Sequence, residues 1–306
     1  MGAFKKLLVS VDTRVERHAA WEQAVRVARH NESHLTLVEV VPEFGWPARW
    51  GVTDLEAIRE AWLNDKRQRL EALGEEARRE GLSVDVRLLT GKTSVELTRL
   101  AKELDSDTVF VTAKGPSSRA TGSLGTTALR LLRTCPAQVW LVRTDSPLFQ
   151  NRLVAAVDIA AVDEDHQKLN RAVLDTAGQL AAWFGAELHV AFAWSLFGEN
   201  LLRSHMAAEE YEELVRNIEC EHRKALDELL KKANTPVPAT GHLLHGDAWD
   251  VFPGFIRESD IELLVIGTVA RRGLAGYFIG NTAEHLLDKT PCDILALKPP
   301  AGAVGE

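Results

Sequence analysis

The residues best equipped for chemistry lie in two glycine-bearing stretches, each between an apolar run and a helical pattern. The later stretch reads Gly267-Thr268-Val269-Ala270-Arg271-Arg272-Gly273-Leu274-Ala275-Gly276-Tyr277-Phe278-Ile279-Gly280-Asn281-Thr282. The earlier one holds Thr112-Ala113-Lys114-Gly115, then Ser117, Ser118, Gly122, Ser123 and Gly125-Thr126-Thr127. Glycine lets a backbone approach a ligand closely, and free N–H groups at a helix N-terminus favour phosphate. Arg271 and Arg272 would add positive charge. The same glycines would equally serve plain strand-to-helix turns, and the sequence leaves both readings open. Neither stretch is a Walker A loop, since no Gly-Lys-Ser or Gly-Lys-Thr follows, and neither is a GxGxxG turn after a first strand.

Other constellations point mostly to packing. His242 and His245 stand three apart on or beside a strand, and no HExxH or cysteine pair accompanies them, so a metal centre is not expected. No GxSxG elbow or triad pattern appears, and an enzyme is not expected. Trp46, Trp50 and Trp62 follow the second apolar run, Trp194 ends another, and Trp249 opens a helical pattern. Such aromatics serve either cores or an apolar pocket for a lipid-like ligand.

The elements that must position these residues come in two copies. Leu7-Leu8-Val9-Ser10-Val11-Asp12 matches Leu153-Val154-Ala155-Ala156-Val157-Asp158. Leu124-Gly125-Thr126-Thr127-Ala128 matches Ile279-Gly280-Asn281-Thr282-Ala283, and the leucine pairs at 131–132 and 286–287 correspond too. A repeat this long implies duplication of a whole domain, with copies expected over 1–147 and 148–306, joined near Pro147. In copy one the apolar runs are Leu7–Val11, Leu35–Val41, Val84–Leu89, Val109–Val111 and Val139–Val142. In copy two they are Leu153–Val157, Leu188–Ala193, His242–His245, Leu263–Ile266 and Ile294–Leu297. Helical periods separate them, as with Leu55, Ile58, Trp62, Leu70, Leu73 and Ala77 on one face, and a long pattern near 205–233. Alternating short apolar strands and helices predict an α/β fold of doubly wound parallel five-stranded sheets. Ligands bind such sheets at the carboxyl ends of the strands, where Asp12, Gly91, Asp158, Gly246 and both glycine stretches fall.

Composition narrows the classes. Of 306 residues, 45% are hydrophobic and 26% charged, which fits an ordinary globular chain. No apolar run approaches the roughly 18–20 residues of a membrane span. Three cysteines form no CxxC pair, pointing to a reducing, cytoplasmic compartment. The net charge of −8 is uneven: residues 1–150 carry 22 Lys/Arg and 20 Asp/Glu, whereas the rest carry 14 and 24. An acidic second half argues against nucleic acid as a partner, while leaving room for a small anionic ligand.

The repeated aspartate-ended first strand, the glycine stretch, the helix Gly280-Asn281-Thr282-Ala283-Glu284 and the closing Cys292-Asp293-Ile294-Leu295-Ala296-Leu297-Lys298-Pro299 resemble the universal stress protein family, in its tandem UspE-type class. The resemblance implies two tandem Rossmann-like (adenine nucleotide alpha hydrolase-like) sheets facing each other as an intramolecular pseudo-dimer with paired fifth strands, and room for a further homodimer. It also implies a role in stress resistance as a ligand-sensing or protective module. Nucleotide-binding members carry Gly-x2-Gly-x9-Gly-(Ser/Thr) after the fourth strand. The matching positions here are Thr112, Gly115, Gly125 and Thr126, and then Gly267, Ala270, Gly280 and Asn281, so each copy departs from the pattern. The resemblance further implies Asp12 and Asp158 at the nucleoside end of a site for ATP, with Mg where it binds. The candidate site residues are therefore Asp12, Thr112, Gly115, Gly125, Thr126, Thr127, Asp158, Gly267, Ala270, Arg271, Gly280, Asn281 and Thr282. The rival readings are a carrier of an apolar small molecule and a weak ATPase.

Overall fold

Short runs of leucine, valine and isoleucine form ten strands in the described part of the chain, because branched side chains pack well on a pleated surface covered on both sides. The computed structural model describes residues 4–43, 55–115, 124–145, 147–160, 163–268 and 281–298. It divides into two compact units, Met1–Leu148 and Phe149–Glu306.

Unit one contains β1 (Lys6–Ser10), β2 (His34–Val41), β3 (Ser83–Thr90), β4 (Thr108–Thr112) and β5 (Gln138–Val142). They lie in the order β3-β2-β1-β4-β5, and every pairing is parallel. Leu7, Leu8 and Val9 are successive and all buried, so both faces of β1 are covered. The edge strand β3 alternates exposed and covered positions instead. The helices are α1 (Ala19–Asn31), α2 (Leu55–Arg79), α3 (Thr93–Glu103) and α4 (Thr126–Thr134). Right-handed crossovers place α1 and α2 on one face and α3 and α4 on the other, where the latter two pack together. The α2 stripe buries Leu70 and Ala77 as its period predicts, but Ile58 is 51% exposed because residues 56–61 of the helix stay in solvent.

Unit two repeats the plan with β6 (Arg152–Ala156), β7 (Glu187–Trp194), β8 (Ala239–His245), β9 (Leu263–Gly267) and β10 (Asp293–Leu297). Their order is β10-β9-β6-β7-β8, again all parallel. Its helices are α5 (Glu164–Phe184), α6 (Glu199–His205), α7 (Ala208–Ala233), α8 (Ala248–Glu258) and α9 (Asn281–Lys289). Asp163 caps α5 by accepting the His166 amide, and Gly185 at φ 65° ends it. Each order reverses beside its first strand, and that switch point opens a crevice at the strand ends. Among the described residues, no helix is long and apolar enough to cross a membrane.

Candidate functional site

In unit one the strand ends and helix starts surround a cleft of 1280 Å³. Asp12 follows β1, Thr112 ends β4, Gly115 follows it, Gly125 is the N-cap of α4, and Thr126 and Thr127 form that helix's first turn. All six line the cleft. The N-cap Gly125 has no side chain with which to cap α4, and the helix's first amides have no intrahelical acceptor. At Gly115 an added Cβ would meet nothing within 4 Å, so nothing described in the fold requires glycine there.

The lining is strongly cationic. Among the described lining residues, Arg14, Arg17, Lys66, Lys92, Lys114 and Arg130 face two carboxylates, Asp12 and Glu39. Both carboxylates are already paired. Arg14 grips Asp12 bidentately, with Nε donating to Oδ1 at 2.9 Å and Nη2 to Oδ2 at 2.6 Å, while the Arg14 amide donates to Oδ1 at 3.0 Å. Burial pushes the Asp12 carboxyl up, but these bonds from Arg14 outweigh it and hold the group below the usual carboxylate range. Glu39 and Lys66, each with a side chain 5% exposed, are joined at 2.7 Å. Lys66 also donates to the Thr13 hydroxyl at 2.8 Å, and that hydroxyl donates to Glu39 Oε2 at 2.8 Å. Trp62 lies against this cluster, with Lys66 Nζ 5.8 Å from its ring centroid. His18, at the N-cap of α1, also lines the cleft; burial lowers its pKa against the pull of Glu22, Asp12 and Glu39.

Phosphate chemistry fits this cleft at the start of α4, where amides without intrahelical acceptors, two threonines and cations such as Lys114 and Arg130 lie around one opening. A nucleobase amino group does not find Asp12 free, because Arg14 occupies both of its oxygens. Nor does Mg find an unpaired protein carboxylate among the described lining residues; it would be held by a ligand's own phosphates.

Unit two differs. Asp158 lines a smaller cavity of 550 Å³ between α5 and α7, where three carboxylates balance three cations. Its carboxylate accepts the Ala160 amide at 3.0 Å, and Asn170 bonds both the N–H and the C=O of its backbone. Gly267 ends β9 and does not line that cavity. A Cβ there would fall 2.5 Å from Leu169 Cγ, so packing against α5 accounts for this glycine. Asn281 and Thr282 begin α9. Ala270, Arg271 and Gly280 lie outside the described residues.

The remaining candidates disperse. Trp62 reaches the cleft, while Trp46 and Trp50 lie outside the described residues. Trp194 stacks on His245 at 4.4 Å, and Trp249 carries the Lys289 ammonium over its ring at 4.5 Å. His242 and His245 point to opposite faces of β8, as their spacing implies. His242 Nε2 meets His189 Nδ1 at 2.9 Å, and His245 Nε2 lies 3.3 Å from Glu199 Oε1. No group of three or more metal-ligating side chains forms among the described residues.

Sequence reasoning missed the Thr13–Glu39–Lys66 cluster and the Arg14 clamp. Two signals were available: Glu39 interrupts the apolar run Leu35–Val41, and Lys66 fills the step between Trp62 and Leu70 on the buried stripe of α2.

Comparison with known proteins completes the picture. The model of the universal stress protein family matches residues 3–143 and 154–298. The chain is similar to universal stress protein E of Photorhabdus laumondii, at 26% identity over 98% of this chain and 96% of that protein. It is 30% identical to universal stress protein E of Escherichia coli K12, over 55% of this chain and 53% of that one. A solved structure of a functionally unknown protein from Pseudomonas aeruginosa PAO1 superposes with a TM-score of 0.74 at 26% identity, covering 97% of this chain and 93% of that one. With matching domains over both halves, this chain belongs to the universal stress protein family, in its tandem two-domain form.

Proposed function

We propose that the chain is a stress-response binding module whose first unit takes a small anionic ligand of the adenine-nucleotide class. One observation carries the reading: Asp12, Gly115, Gly125, Thr126 and Thr127, far apart in sequence, share one cleft with six cations. The empty space over Gly115 supports it, since a glycine unexplained by packing is one that a ligand could require. Catalysis is not part of the proposal, because both cleft carboxylates are tied to cations and neither is placed as a free base. An apolar ligand is less well supported, as Trp62 is the one tryptophan on the described cleft wall and it sits beside Lys66.

Calorimetry and native mass spectrometry of the full chain with ATP, with and without Mg, test this. One equivalent should bind, Gly115→Val should weaken it at least tenfold without loss of fold, and Asp158→Asn should leave it unchanged. Absence of heat and of a mass shift at millimolar nucleotide would overturn the reading, and a co-purified acyl chain would favour the apolar one.

A further inference from the structure

Two histidine rings meet directly in unit two. His189 on β7 and His242 on the edge strand β8 bring Nδ1 and Nε2 within 2.9 Å of each other. A hydrogen bond between imidazoles needs one nitrogen with a proton and one without. The contact therefore tolerates two neutral rings, or one neutral and one charged. Protonating both would set two N–H groups head to head and two positive charges side by side. The other nitrogen of His189, Nε2, is buried without a hydrogen-bond partner among the described residues, and Glu187 Oε2 stays 3.7 Å away.

Water can relieve a doubly charged pair only if its cover moves, and the cover is α8. Phe255 of that helix packs against both rings, its centroid 4.8 Å from that of His242 and 6.5 Å from that of His189. α8 supports itself poorly. Pro253 lies inside it and lacks the N–H that would bond one turn back, and Gly254 follows. Asp247 at its N-cap accepts from Ser195 Oγ at 3.0 Å instead of capping the helix. Packing on the sheet is what holds α8, through Phe255 and the buried Phe252 and Ile256.

The surrounding charges do not rescue a doubly protonated pair. Burial is the largest influence on both rings and lowers both pKa values. Glu187 on β7 opposes this at His189, while Arg152 on β6 reinforces it. At His242 the neighbouring ring reinforces it, as does Arg223 on α7, which donates to the Gly241 carbonyl at 3.0 Å. The charged residues of α8 itself, Asp250, Arg257 and Glu258, are exposed.

We propose that the His189–His242 pair is an acid-sensitive latch: uptake of the second proton releases α8 from β7 and β8 while the five strands of unit two stay paired. The latch does not depend on what the cleft of unit one binds. Closed, the pair holds at most one proton; open, each ring is free to take one at its ordinary pKa of about 6.5. Opening therefore takes up at least one proton and becomes more favourable as pH falls below ~6.5.

Hydrogen exchange of the full chain, read as protection factors between pH 7 and 5, tests the latch. From pH 6.5 to 5 the protection of the α8 amides should fall at least ~10-fold, about what one extra proton gives over that interval, while the α5 and β6 amides keep theirs. His189→Gln/His242→Gln keeps donors and acceptors but cannot be protonated, and should remove the fall. In the wild type, ring nitrogen shifts should show the pair titrating in two separated steps, the second coinciding with the loss of α8 protection. Unchanged α8 protection at pH 5, an equal fall in α5 and β6, or a fall that persists in the double variant would overturn the proposal. Should the double variant not fold, the wild-type rings decide: a single titration step with α8 still protected refutes the latch.

Discussion

Replacing Lys66 by methionine is the sharpest test of the cleft's interior. The side chains are similar in length, so the change removes the charge and little of the packing. Lys66 and Glu39 are joined at 2.7 Å with side chains 5% exposed, and among the described residues Glu39 would keep the Thr13 hydroxyl and amide as its donors. Breaking a buried pair from one side costs ~3–5 kcal/mol, because the orphaned charge stays desolvated. Adding Glu39→Gln removes that charge and keeps an acceptor for Thr13, so the double variant should lose only ~1–2 kcal/mol, about the value of the weakened hydrogen bonds. Guanidinium unfolding of the full chain gives the overall change. Hydrogen exchange at the β1 and β2 amides assigns it to unit one, since two units need not unfold together. A loss below ~1 kcal/mol for Lys66→Met would mean that water or relaxation already compensates the pair. A double variant as unstable as the single one would place the cost in packing instead of charge. Either result refutes the reasoning.

Further outcomes follow from other contacts. Gly267→Ala should destabilise unit two by ~1–3 kcal/mol through overpacking on Leu169, and Leu169→Val should recover part of that, measured by denaturation of the single and double variants. Arg14→Ala should let the pKa of the Asp12 carboxyl rise, because burial then acts with little opposition, change stability by less than ~1 kcal/mol because Arg14 is exposed, and weaken ATP binding by removing one of the six cleft cations; unchanged or tighter binding would contradict this. Burial lowers the pKa of both His189 and His242; His189 and Arg223 add to the effect on His242, while Glu187 opposes it on His189. A folded-state value below the unfolded one means that unfolding takes up protons. The stability contributed is therefore complete above roughly pH 6.5 and is lost as pH falls below it. Denaturant midpoints should fall more steeply from pH 7.5 to 5 in the wild type than in His189→Phe/His242→Leu, and parallel profiles would refute it.

Periodicity exposed most of the architecture, because each buried strand had to be a continuous apolar run and each helix had to show one apolar face. Leu7–Val9 and Leu263–Val265 read directly as strand cores for that reason. The cleft was legible only in outline. Asp12, Gly115 and Gly125 fall at strand ends and helix starts, which topology alone brings together. The partners of Asp12 and Glu39 were not visible, since Arg14 is a surface residue by type and Lys66 pairs across 27 positions. Gly267 shows the limit from the other side: a glycine packed on Leu169 and a glycine reserved for phosphate look identical in sequence.

That contact between Leu169 and Gly267 bears on stoichiometry and cooperativity. A protein of two identical copies offers two equal receptors, which can couple and give sigmoidal binding. Here a Cβ on Gly267, the strand-end glycine of unit two, would meet the chain's own Leu169, while the matching Thr112 of unit one lines the open cleft. With binding placed in unit one alone, as proposed, the duplicated chain would work as a single-site device. Titration of this chain should accordingly be hyperbolic, with one equivalent per molecule and no dependence of affinity on occupancy.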